Sequence, residues 1–364
     1  VDLQTAVAIS MLPASRGRAS ALFKELRQQH PAASLRDVAG ALGLVADGVA
    51  AEAWRGAELA LAAATAAGIE PVPWFDARYP PLLACIIDPP PILWTRGDVG
   101  ILNRPTVAIV GSRAATPYAL DVGARLAAEL ADRDVVVVSG LARGVDSAAH
   151  RGCLDAGGLT VAVLGSGLDR VYPSEHVELA DRIARKGLVV SELGPGGAPL
   201  PEHFPLRNRI ISGISLAVVV VEASDKSGSL ITARCALDQG REVMAVPGSV
   251  LSGRNRGSHS LLKDGAKVVE TADDILQDLW PGWQGLAPTP PAVDGGSLEP
   301  RKFLKEDPLL AHMEVGESYE LDRLVVATGL APSRLLTRLM ELELKGDVAS
   351  RGGGRFSRTA TRRG

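Results

Sequence analysis

Hydrophobic positions change rhythm twice along the chain, and the changes divide it. Up to about residue 98 apolar residues recur at helical spacing in an alanine-rich sequence: Leu22, Phe23 and Leu26, then Leu35, Val38, Ala41 and Leu42, then Ala53 through Ala66. Between Pro71 and Trp94, Pro71, Pro73, Pro80, Pro81, Pro89, Pro90 and Pro91 forbid a long helix. This stretch predicts a connector with one or two short strands, at 82–87 and 92–94. Its Trp74, Phe75, Tyr79 and Trp94 read as packing residues against the next domain. From residue 105 short apolar runs at 106–110, 135–138, 160–164, 188–190, 216–221 and 243–246 alternate with amphipathic stretches. The runs are almost wholly apolar, as strands of a parallel sheet covered on both faces must be. They predict helices over about 117–131, 144–156, 175–186 and 229–239, and a doubly wound α/β domain with a parallel sheet.

Residues 281–299 have no period and many Pro and Gly, which predicts a linker. Beyond it, Leu321, Leu324 and Val325, then Leu335, Leu336, Leu339 and Met340, restore helical spacing on either side of a Thr328-Gly329 break. That is the pattern of a helix-turn-helix, and the Gly-rich segment from Gly346 to Phe356 predicts a β hairpin, or wing. The expected organisation is an N-terminal helical domain over 1–70, connector plus sheet domain over 71–280, linker over 281–299, and winged-helix-like domain with a basic tail over 300–364. The tail carries Lys345, Arg351, Arg355, Arg358, Arg362 and Arg363, a charge that a solvated tail explains as well as DNA contact does.

Composition narrows the function. A formal net charge of -3 excludes a polybasic protein but leaves room for a local basic patch. The widely spaced Cys85, Cys153 and Cys235 exclude a disulfide framework or a CxxC zinc site, and fit a reducing cytoplasm. No apolar run is long enough for a bilayer and no basic leader opens the chain, so a soluble, cytoplasmic protein is expected.

Ligands of an open parallel sheet collect beyond the carboxyl ends of its strands. Four glycine- and hydroxyl-bearing loops stand there. In the first, Gly111 turns the chain, Ser112 and Arg113 offer donors, and Thr116-Pro117 begins the next helix. The second holds Ser139, Gly140 and Arg143, the third Gly165 and Gly167, and the fourth Lys226, Ser227, Gly228 and Ser229. Backbone N–H groups at helix starts with nearby cations make anion sites, so the four loops read as phosphate-binding, against the plainer reading of four tight turns. Neither GxGxxG at the first turn nor GxxxxGK[ST] occurs, which counts against NAD and ATP. The segment His203-Phe204-Pro205-Leu206-Arg207-Asn208-Arg209 adds two arginines that suit phosphates, an Asn for backbone or base, and a Phe for stacking on an unpaired base. The competing reading buries Phe204 and pairs the arginines with Glu192 or Glu202. Asp146 and His150 share a helical face at i, i+4, a helix contact before a catalytic pair, and no nucleophile, base or metal set emerges. The reading is a protein with no catalytic residues, no metal and no cofactor.

The strings VAIVGSRAAT, VVSGLARGVDSAAH, VAVLGSGLDRVYP, HFPLRNRIISG and SGSLITARCALDQGREVMAVPGS, in this order, resemble the bacterial DNA-processing protein A (DprA/Smf) family over at least residues 71–270. The resemblance implies a protein that binds single-stranded DNA in natural transformation, loads the RecA recombinase, relieves the block by single-strand-binding protein, and dimerises through its Rossmann-like domain. It implies an α/β fold with an extended Rossmann-like parallel sheet domain, a sterile-alpha-motif-like N-terminal domain, a C-terminal winged-helix-like domain and no catalysis. By motif it puts the phosphate pocket on Gly111, Ser112, Arg113, Arg143, Phe204, Arg207 and Asn208. Many relatives have a Lys shortly before that Phe, where this chain has Leu200-Pro201-Glu202; Arg209 or Lys226 would have to supply the charge. A second reading is a phosphoribohydrolase-like enzyme acting on a nucleoside monophosphate, but the turn Lys226 to Thr232 lacks the Glu that such enzymes place there.

Overall fold

A computed structural model describes residues 2–12, 34–41, 43, 46–280, 307–313, 317–345, 347–350 and 354–359. The expected helical stretch around Leu22 and Leu26, the linker 281–299, and Arg351, Arg362 and Arg363 lie outside the described residues. The chain divides into two compact units, residues 1–114 with 123–275, and residues 115–122 with 276–364.

In the first unit nine strands form one sheet: β1 (Glu70–Pro73), β2 (Ile92–Gly97), β3 (Thr106–Gly111), β4 (Val136–Ser139), β5 (Thr160–Leu164), β6 (Leu188–Ser191), β7 (Ala217–Val221), β8 (Glu242–Ala245) and β9 (Lys267–Val268). Their order is β1-β2-β6-β5-β4-β3-β7-β8-β9. Strands β3 to β9 pair in parallel, while β2 runs antiparallel to β6 and β1 antiparallel to β2. The proline-rich stretch is therefore partly sheet. Pro71 and Pro73 fit in β1 because an edge strand leaves one side of its backbone without a ladder partner. Residues 82–87, expected as a strand, instead contain the helical turn Pro81–Ala84; Pro81 at its first position fixes φ, and Leu83 turns into the core.

Continuous apolar runs serve two cores at once. Within β5, Ala162 and Leu164 join a cluster with Trp94 and the N-terminal helices Leu3–Ser10 and Ala46–Ala66, whereas Val161 and Val163 join the core on the opposite face. Each buried Val contributes roughly 1.5–3 kcal/mol, so a polar residue at any of these positions is costly. Helices Pro117–Ala131, Val145–Asp155, Val177–Lys186 and Ser229–Asp238 lie where the apolar spacing puts them. Thr116 caps the first, its Oγ1 accepting the Ala119 N–H at 3.2 Å.

One helix is absent from the predicted elements. His203–Gly213 is helical throughout. Pro205 is its third residue, where no backbone donor is lost, and its inner face buries Arg207 and Asn208 beside Ile210 and Ile211, which hides the helical period.

From β3 the chain moves to β4 on one side and, after β6, returns to β7 on the other. The crevice beyond the carboxyl ends of β3 and β7 is thus the topological switch point of the sheet.

The second unit holds β10 (Ser318–Glu320), β11 (Val348–Ser350) and β12 (Arg355–Arg358) in the antiparallel order β10-β12-β11, with helices Leu321–Thr328 and Pro332–Leu344. Gly329 takes φ +67° between the helices, a left-handed turn, and Pro332 opens the second helix. Leu324, Leu335, Leu339, Leu342, Val348 and Phe356 fill its core. This is the expected winged helix, with one further strand, β10. Arg338 on the second helix is engaged by Asp307 and Glu341, which leaves little free charge on its polar face.

Candidate nucleic-acid interface

The loops after β3 and β7 meet across a cleft of about 640 Å³ at the switch point. Gly111 is paired with Val221, and a Cβ on it would lie 2.0 Å from the Val221 carbonyl oxygen, so the two strand ends approach only because this residue is glycine. The Ser112 N–H donates to the Glu222 carbonyl at 2.9 Å and locks the loops together. Arg113 is exposed, its guanidinium over the Phe204 ring at 5.6 Å from the ring centre. Across the cleft Lys226 is exposed as well. Among the described residues neither cation has a hydrogen-bond or ion-pair partner. Ser227, Gly228 and Ser229 open the helix Ser229–Asp238, and Asn208 Nδ2 donates to the Gly228 carbonyl at 3.4 Å. Two free cations and a helix start facing one cleft attract a polyanion.

The loop after β4 is held from behind. Asp146 is buried, and its Oδ2 accepts the N–H groups of Gly140 at 3.1 Å and Ala142 at 3.4 Å. Leu141, between them, has φ +56°, a rare conformation for a bulky residue, and its carbonyl accepts a hydrogen bond from His176 Nδ1 at 2.8 Å. Arg207, 5 % exposed, donates from Nη1 to the Val163 carbonyl. A Cβ on Gly140 would stand 2.0 Å from that same Nη1. Burial pushes the Arg207 pKa down to about 10 and pushes that of Asp146 up; the Arg207 charge and the two N–H groups oppose the latter.

Of the expected site residues, Gly111, Ser112, Arg113, Phe204, Asn208, Lys226, Ser227, Gly228 and Ser229 line this cleft. The others stand differently. Ser139 is buried with its hydroxyl on the Ile109 carbonyl, and the Gly140 N–H is committed to Asp146, so neither is free for a ligand. Gly165 lies against the Phe204 ring, and the Gly167 N–H donates to the Gly197 carbonyl at 2.9 Å; both shape the third loop, outside the cleft. Arg143 stands at the rim in an exposed ion pair with Glu175. Arg207 is a strut between strand ends, with one edge on the cleft and its buried Nε without a partner among the described residues. Arg209 points elsewhere, to Glu192 at 2.8 Å and Asp88 at 3.2 Å, in a separate cleft with Trp94 and Leu193. The pairing of an arginine with Glu192 is thus real, and of the two residues considered for the missing Lys only Lys226 faces the site. Asp146 and His150 form no bond to one another: His150 Nδ1 lies 2.7 Å from Thr160 Oγ1.

Tyr172 was not singled out by sequence, yet it lines the cleft with its ring centre 5.4 Å from that of Phe204. A lone Tyr after the third glycine loop carries no period; only its place beyond the end of β5 signals it. Among the described residues no three His, Cys, Asp or Glu side chains gather to hold a metal, and no helix is long and apolar enough to cross a membrane.

Residues 71–280 match the family model described as DNA recombination-mediator protein A, and residues 300–354 match the DprA winged helix domain. The DNA processing protein DprA of Streptococcus pneumoniae (strain ATCC BAA-255 / R6) is 45% identical over 203 residues, covering 56% of this chain and 72% of that one. Protein Smf of Escherichia coli (strain K12) is 40% identical over 287 residues, covering 78% and 76%. Among solved structures, the X-ray structure of the Streptococcus pneumoniae protein superposes with a TM-score of 0.70 at 36% identity, over 76% of this chain and 98% of that one. DNA processing protein A from Helicobacter pylori, described for its single-stranded DNA binding mode, gives a TM-score of 0.52 at 31% identity, over 58% and 95%. Since the first model spans more than half of the sequence, the chain belongs to the DNA recombination-mediator protein A family, whose members carry the names DprA and Smf.

Proposed function

We propose that this protein binds single-stranded DNA in the switch-point cleft and delivers it to a RecA-type recombinase during DNA uptake and recombination. One observation carries the reading: Arg113 and Lys226 face the same cleft, both exposed and uncommitted among the described residues, beside the aromatic rings of Phe204 and Tyr172. Cations answer the phosphates and rings answer unpaired bases, which duplex DNA keeps stacked inside. The Helicobacter pylori relative supports the choice of single strands. In this reading Arg113, Lys226 and the helix start at Ser229 take the backbone, while Arg207 holds the loop that frames them. Chemistry on the DNA is not required of any residue.

The finer proposals rest on family membership: a homodimer that sets two clefts on one strand and raises its effective local concentration, action in the cytoplasm, and displacement of single-strand-binding protein as the recombinase loads. The domain boundaries at about 70, 280 and 300 belong to the same proposal. The winged helix is an accessory surface, because Arg338 is engaged and the rest of the polar face of its second helix offers few donors for base edges.

The test is fluorescence anisotropy with the full chain, a random single strand of about 30 nucleotides and its duplex. Single strands are expected to bind more tightly, with affinity falling steeply as salt rises. Arg113→Ala is expected to weaken binding about tenfold and flatten the salt dependence by about one phosphate contact. Tighter duplex binding, or an Arg113→Ala protein indistinguishable from the parent, refutes the assignment.

A further inference from the structure

We propose that the separate cleft around Arg209 is a binding site for a small zwitterion, an α-amino acid with an apolar side chain. This site shares no lining residue with the switch-point cleft and does not depend on DNA binding there. Helix His203–Gly213 divides the two. Its Phe204, Arg207 and Asn208 face the switch-point cleft, whereas His203, Leu206 and Arg209, on another face of the same helix, line this one.

The cleft has about 620 Å³, in the size range of small-molecule sites. Its charged end is Arg209 held between two carboxylates. Arg209 Nη2 donates to Glu192 Oε1 at 2.8 Å, and its Nε donates to Asp88 Oδ2 at 3.2 Å. Glu192 is 8 % exposed, so the cluster is largely shielded from water. The ion cluster is not closed on itself. Arg209 Nη1 and Asp88 Oδ1 are buried with no hydrogen-bond partner among the described residues, which leaves one donor and one acceptor unanswered side by side. Leaving both dry costs free energy that a ligand carrying an acceptor and a donor recovers.

Charge selects the class of ligand. A plain anion approaching Arg209 meets Asp88 and Glu192, and a plain cation approaching those carboxylates meets Arg209. A molecule with a carboxylate and an ammonium on one carbon answers both and leaves the net charge of the cleft unchanged. The helix Leu3–Ser10 ends at the cleft, where the negative end of its dipole favours the ammonium. The other walls include Met11, Leu12, Trp94, Leu193 and Leu206, which carry no charge and suit an apolar side chain. The volume leaves room for an aromatic one.

The experiment is isothermal titration calorimetry on the full chain with three probes: L-phenylalanine, its amide, which lacks the carboxylate, and its N-acetyl derivative, which lacks the ammonium. L-Phenylalanine is expected to bind, and each capped form to bind about tenfold more weakly or worse. Leu206, 54 % exposed, offers a variant that blocks the cleft without touching the ion cluster. Leu206→Trp is expected to weaken L-phenylalanine about tenfold while moving the melting temperature by no more than about 2 °C. Absence of L-phenylalanine binding overturns the proposal. Equal binding of either capped form also overturns it, because only an apolar hole would then be at work. Undiminished binding by Leu206→Trp does the same, since it would put the ligand elsewhere on the molecule.

Discussion

Asp146→Ala is expected to destabilise the protein by about 3–5 kcal/mol, the scale of leaving a buried charge uncompensated. Asp146 is the carboxylate whose charge acts on buried Arg207, and it accepts the N–H groups of Gly140 and Ala142. Removing it strands the guanidinium and two backbone donors at once, each donor adding a desolvation cost. Asp146→Asn keeps an acceptor oxygen and drops only the charge, so it is expected to lie between alanine and the parent. Because Asp146 holds the N–H groups on both sides of left-handed Leu141, single-strand affinity is expected to fall in both variants even where they remain folded. Urea unfolding at neutral pH measures the first effect and anisotropy at a temperature well below unfolding the second. An Asp146→Ala protein as stable as the parent would show that Arg207 needs no counter-charge.

Stability is also expected to fall steeply in mild acid, because of His150. Its ring is fully buried, with Nδ1 against Thr160 Oγ1 and Nε2 without a partner among the described residues. Thr160 Oγ1 donates to the Val137 carbonyl at 2.7 Å, so toward His150 it accepts, and the proton sits on Nδ1. Burial pushes the His150 pKa down to about 3, with the charges of His176 and Arg207 acting in the same direction. The folded protein therefore keeps this ring neutral, whereas the unfolded chain protonates it near its ordinary value of about 6.5. Between those values the unfolded state binds more protons, so the contribution is complete above about pH 6.5 and is lost at about 1.4 kcal/mol per pH unit as pH falls toward 3. Urea titrations at about pH 7.5, 5.5 and 4.5 on the parent and His150→Gln separate this from the carboxylates common to both. The gap between the two proteins is expected to change by about 2 kcal/mol or more across the range. A constant gap would mean that the ring accepts its proton in the folded state.

The strands were legible in the sequence because a parallel strand covered on both faces must be apolar at every position. Residues 160–164 and 217–221 carry that requirement in their own composition, whatever lies beside them. The helix-turn-helix was legible for a similar reason, since Gly329 and Pro332 are local answers to local backbone demands. Gly111 announced a turn out of a strand, and the loops at 111–113 and 226–229 announced anion chemistry. The helix His203–Gly213 was not legible, because a polar pair occupies its inner face and erases the period by which helices are recognised.

What each arginine does depended on the order of the strands. Arg207 and Arg209 are two residues apart on one helix, and composition treats them alike. One turns toward the ends of β4 and β5, where Gly140 leaves room for it. The other meets Asp88, 121 residues away, and Glu192. A charge is free or spent according to which carboxylates and carbonyls the topology brings within about 3 Å, and those partners are distant in sequence. Tyr172 gained its place in the cleft in the same way, through a Phe 32 residues further on whose own face is taken by Arg113. Local propensity and hydrophobic pattern therefore determined the elements and the kind of chemistry at their ends. Long-range pairing decided which side chains remained available to perform it.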